Sequence, residues 1–124
     1  MFIADYEVFK HDSLLGVLDT DTNKIYQAWG VSEIKKLIMD HSDEMWVGFN
    51  SDHYDKILAH GMLTGKITTS EKAFELSNAI IKAQDSNTPL FGILSKFNIN
   101  DYYQSDLLMY DVARRPEYFF RLNN

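Results

Sequence analysis

The sequence has no cysteine and only two prolines in its 124 residues. Without cysteine there can be no disulfide framework and no thiolate metal site, which excludes zinc ribbons and is compatible with a reducing compartment. Long apolar runs are missing too. The opening MFIADYEVFK carries acids where a signal peptide needs an uninterrupted greasy stretch, so the expectation is a soluble, cytoplasmic protein without a membrane span. Positive charge is in short supply: 12 Lys and Arg stand against 18 Asp and Glu, for a formal net charge of −6. No global positive field draws in nucleic acid, which counts against a DNA-coating protein. It does not count against a nuclease, whose metal-holding carboxylates are negative until the metal arrives.

Against these absences stand 45% hydrophobic and 14% aromatic residues, enough to bury a core in one modest domain spanning residues 1–124. Phe2 to Phe9, Ser13 to Asp19 and Lys24 to Trp29 read as three short strands joined by polar turns, which predicts an antiparallel meander. Val31, Ile34, Leu37 and Ile38 have helical spacing, with Ser32 as N-cap. Met45 to Asn50 is a buried-strand run. The helix that follows, starting near Ser51, sets Tyr54, Ile57, Leu58 and Met62 on one face. Thr68 and Glu71 have capping-box spacing ahead of Ala73, Leu76, Ile80 and Ala83, predicting a helix to about Asp85, with Gly65 separating it from the preceding one. Further on, Leu90 to Leu94 reads as a short strand or turn, Asn98 to Ser105 has no clear period, Asp106 to Ala113 is helix or strand, and Pro116 breaks what precedes it. Trp29 and Trp46 are expected in the core. The order predicts an α/β layered domain: a three-stranded antiparallel meander feeding a parallel strand, with helices packed on the sheet.

The acids suggest chemistry. Asp5 and Glu7 lie two apart on a strand, so their side chains leave the same face roughly 7 Å apart. On a half-buried strand this is costly unless a cation intervenes; the ordinary alternative is a solvated strand face. Asn50 and Asp55 sit where a strand ends and a helix begins, the place at which α/β sheets bind ligands. The ordinary reading is again available, since acids suit a first helical turn and Ser51 and Asp52 look like caps. The four histidines lack the spacing of a zinc site. Arg114, Arg115, Tyr118, Phe119 and Phe120 mix basic and stacking groups of the kind that grip single-stranded nucleic acid, or else pack an aromatic tail.

Asp5-Tyr6-Glu7-Val8-Phe9-Lys10 and its continuation through Leu18 resemble the first motif of the DEDD-type 3′–5′ exonuclease domains carried by bacteriophage DNA polymerases. Gly48-Phe49-Asn50-Ser51, followed by Tyr54-Asp55, resembles the second, and the likeness covers roughly the first 63 residues. The resemblance implies a ribonuclease-H-like fold and Mg²⁺ or Mn²⁺, two ions, held by Asp5, Glu7 and Asp55. Asn50 and Tyr54 would contact the substrate, a single-stranded DNA 3′ end. The fourth acid of such domains follows a tyrosine or histidine. Tyr102 and Asp106 have that Y-x-x-x-D spacing, with Asp111 behind Asp106, or else the chain ends before that motif and is truncated. The implied function is a metal-dependent exonuclease-like phage protein, or a fragment of one, working in the host cytoplasm. The alternative is an inactive exonuclease-fold module that pairs with a missing C-terminal half or inhibits a host protein.

Overall fold

A computed structural model describes residues 1–105, 107 and 109–113. Five strands, β1 (Phe2–Val8), β2 (Ser13–Asp19), β3 (Lys24–Trp29), β4 (Trp46–Gly48) and β5 (Met109–Asp111), form one mixed sheet in the order β3-β2-β1-β4-β5. The first three strands are antiparallel neighbours, while β4 runs parallel to β1 and β5 parallel to β4. The connections carry α1 (Val31–Asp40), α2 (Asp55–Leu63), α3 (Ser70–Asp85) and α4 (Leu90–Lys96). The expected α/β class, meander and parallel strand are therefore present. Among the described residues, no helix is long and apolar enough to cross a membrane.

Strand periodicity divides the sheet. On β1, Phe2, Ala4 and Tyr6 are buried in the main core, whereas Asp5 and Glu7 are exposed on the opposite face. The covered face meets Ile34 and Ile38 of α1, Ile57, Leu58 and Met62 of α2, and Leu76 and Ile80 of α3. The pairing Glu7–Leu14–Trp29, Asp5–Gly16–Gln27 and Ile3–Leu18–Ile25 sets three rows across the other face of β1, β2 and β3.

Several local expectations need correction. Ser32 does not cap α1: Gly30 does, at φ 83°, because a single residue joins β3 to the helix and must turn the chain in a conformation that favours glycine. Thr69, not Thr68, caps α3, its hydroxyl accepting a hydrogen bond from the Lys72 N–H at 3.1 Å. Neither Ser51 nor Asp52 caps through its side chain; residues Ser51–His53 form a separate 3-10 turn before α2. Leu90–Lys96 is helical, since Leu90, Leu94 and Phe97 turn one helical side to the core. Met109–Asp111 takes the strand alternative. Trp46 is fully buried, but Trp29 is 49% exposed and stacks on Phe9 at 6.3 Å, because its alternation places it on the uncovered face.

Gly61 is where α2 meets the segment leading to α3: a Cβ there would stand 2.7 Å from Ile67 Cγ1, which is itself fully buried. Gly61→Ala is expected to destabilise the fold by about 1–3 kcal/mol through overpacking, read as a lower urea midpoint with an unchanged slope.

Candidate active site

The β1–β4 ladder is short, pairing only Phe2 with Trp46 and Ile3 with Val47. Beyond it the chain leaves β4 through Phe49 and Asn50, and α2 begins with Asp55, beside the part of β1 that carries Asp5. Asp55 is only 4% exposed. Its carboxyl is pushed up to about 7, first by burial and then by the negative charge of Asp5, with Asp111 adding to the effect. The backbone N–H groups of Tyr6 and of Asp55 itself pull the other way without winning. No Lys, Arg or His forms an ion pair with Asp5, Glu7 or Asp55 among the described residues. A buried carboxylate within electrostatic reach of a second one, with no ion pair to either among the described residues, is electrostatically incomplete.

The turn into α2 is held from β5. Asp111, 3% exposed, accepts hydrogen bonds from the N–H groups of Asn50 at 2.8 Å and Asp52 at 3.0 Å, and from Ala113 at 3.0 Å. Asn50 adopts the left-handed region at φ 56°, which asparagine tolerates better than most residues. Gly48 is required below it, since a Cβ would meet Ser51 Cβ at 2.8 Å. The fully buried Ser51 hydroxyl is without a hydrogen-bond partner among the described residues.

Tyr54 precedes Asp55, and its hydroxyl is 2.6 Å from Ser77 Oγ on α3. Burial raises its pKa, opposed by the Ser77 bond and reinforced by Asp55 and Asp5, so its ring lies within reach of both charges. Tyr6, between the two acids of β1, points the other way into the core. Burial, with Asp55 nearby, pushes its hydroxyl well above the ordinary range, and the group reaches Met62 Sδ at 3.7 Å.

The structure thus brings together Asp5 and Asp55, with Glu7 on the same face of β1 as Asp5 and the Asn50 turn at the neighbouring strand end. Tyr102 lies in a 3-10 turn (Tyr102–Gln104) against α2, edge-on to Tyr103 at 6.3 Å. Asp106 lies outside the described residues, as do Arg114, Arg115, Tyr118, Phe119 and Phe120. Among the described residues, no three His, Asp or Glu side chains converge closely enough to hold a metal ion. Asp5 and Asp55 are the two acids whose charges reach each other, and Glu7 shares the exposed face of β1 with Asp5. Sequence reasoning missed the clamp by Asp111 and the support of Tyr54 by Ser77. Both are contacts between distant segments and carry no local signal. Tyr6 could have been found, since alternation within Asp5-Tyr6-Glu7 sends the middle side chain inward.

No protein-family model matches the chain, and neither a curated protein nor a solved structure matches it.

Because folding raises the Asp55 pKa, the native protein keeps a proton between about pH 4 and 7 that the unfolded chain has lost. Stability in chelator is therefore expected to fall as pH rises through that window, by up to about 4 kcal/mol, and to level off above it. Asp55→Asn should flatten this dependence, as measured by urea unfolding at pH 4.5 and pH 8. Ser51→Ala should be neutral or stabilise by about 1 kcal/mol in the same assay, because it removes a buried hydroxyl that has no partner among the described residues.

Proposed function

We propose that this is a ribonuclease-H-like nuclease domain of the 3′–5′ exonuclease type, acting on DNA, of the kind carried by phage polymerases. The observation that carries the reading is the Asp5–Asp55 pair, to which no ion pair is made among the described residues, on a central strand just past its short ladder with parallel β4. The strand order, with an antiparallel meander on one side of β1 and two parallel strands on the other, supports the same fold. Divalent ions, Mg²⁺ or Mn²⁺, when bound, supply neutralisation of the charge that develops on the phosphate and activation of the attacking water.

The chain's own residues have distinct parts in this reading. Asp5 and Asp55 hold the cationic charge, with Glu7 as their partner on β1. Burial of Asp55 excludes water from one side of the pair, and this strengthens attraction for a cation there. Asn50 presents its exposed side chain from a turn that Asp111 holds in place, and the Ser77 bond fixes Tyr54 beside the pair. Tyr102 and Asp106 complete the set as the water-orienting aromatic and the fourth acid.

A second reading is favoured by one observation: three acids do not converge among the described residues. In it the same fold is an inactive binding module that pairs with a C-terminal half or with a host protein.

Calorimetric titration with Mn²⁺, together with trimming of 3′-labelled single-stranded DNA, separates the two. The nuclease reading expects metal binding that Asp5→Ala abolishes and trimming that falls about a hundredfold or more in Asp5→Ala and Asp55→Asn. Metal binding without trimming favours the binding module. Neither response at millimolar metal removes the catalytic reading.

A further inference from the structure

Among the described residues, the helices cover only one face of β1, β2 and β3. On the other, Ile25 is 70% exposed, Trp29 49% and Leu18 36%, with Leu14 half-buried beside them. Asp5 and Glu7 stand in the same surface, and strand register puts no lysine or arginine among its three rows. At the centre Gly16 has no side chain, and the atom nearest to where its Cβ would be is the Asp5 carbonyl oxygen at 3.9 Å, so the surface dips there.

We propose that this face is a docking surface for an amphipathic helix of a partner protein, one with an aliphatic stripe and a Lys or Arg directed at Asp5 and Glu7. The dimensions agree. Three strands span about 10 Å and three alternate positions about 14 Å, the width of one helix and the length of some nine helical residues. The chemistry selects among occupants. The surface is largely apolar with two carboxylates and no cation in its three rows, which in the absence of metal repels phosphates and disfavours a nucleic acid. A second copy would bring the same carboxylates against these, in a chain of net charge −6. A basic amphipathic helix covers the apolar rows and neutralises both acids, whose burial without a cation is unfavourable. This inference goes beyond the nuclease reading; it shares Asp5 and Glu7 with it and concerns the metal-free protein.

The test uses the full chain in chelator and two 14-residue helical peptides, identical in their leucine stripe, one flanked by lysines and the other by glutamates. Trp29 fluorescence reports binding, with buried Trp46 as a constant background. The lysine peptide is expected to shift the Trp29 emission and bind at least about tenfold more tightly than the glutamate peptide. Ile25→Asp and Leu18→Asp should each weaken it by about tenfold or more without lowering the urea midpoint, and Asp5→Asn with Glu7→Gln should erase the preference between peptides. The proposal is overturned if neither peptide binds, if Ile25→Asp leaves binding unchanged, or if sedimentation shows that the chain self-associates through this face. A Trp29 response to an oligothymidylate in place of the peptides also overturns it. Metal calorimetry on Ile25→Asp reports on the nuclease reading separately.

Discussion

Side chains on a strand leave alternately from its two faces, and this constraint on β1 organises the molecule. Phe2, Ala4 and Tyr6 go into the core, where they meet three helices, and this forces Asp5 and Glu7 together onto the opposite face. Because β1 sits at the centre of the sheet, between β2 and β4, the acids cannot escape to an edge. A slip of one residue in register would bury both carboxylates and expose the phenylalanine and the tyrosine, so the apolar half of the pattern holds the charged half in place. The site is in this sense a by-product of the core.

The second acid comes from a different device. Asp55 opens α2 only after the chain has turned at Asn50, and that turn is held by two of its backbone N–H groups, those of Asn50 and Asp52, bonded to Asp111, which also accepts from Ala113 on its own strand end. A carboxylate so occupied acts as a clamp. It links β5, near the end of the described chain, to the beginning of α2, and so fixes where Asp55 stands relative to β1. The close approach of Gly48 to Ser51 tightens the same corner. Like charges, a buried tyrosine and a hydroxyl without a partner among the described residues accumulate here, and the fold holds them because the surrounding apolar packing outweighs their unfavourable electrostatics.

Much of this was legible beforehand where a signal is local. The strands β2 and β3 match their expected limits, because polar turns bracket clear runs of strand-forming residues. The span of α1 was legible from Val31, Ile34 and Ile38, although its cap was not, since the cap depends on how abruptly β3 hands over to the helix. Leu90–Lys96 misled because a short apolar segment has no period long enough to separate strand from helix. Trp29 misled for another reason: hydrophobicity alone does not say which face of a sheet the helices will cover.

The sequence by itself determined which residues share a face: Asp5 with Glu7 on a strand, and Val31, Ile34 and Ile38 on a helix, since periods of 2 and 3.6 are properties of the local backbone. It also determined that the helix after β4 would carry an acid in its first turn. Only the tertiary structure decided that Asp55 would come within electrostatic reach of Asp5, that Asp111 would hold the Asn50 turn and Ser77 the Tyr54 hydroxyl, and that the described helices would all pack on one face of the meander. Each of these joins segments tens of residues apart, and their meeting depends on strand order and helix placement, which local periodicity does not encode.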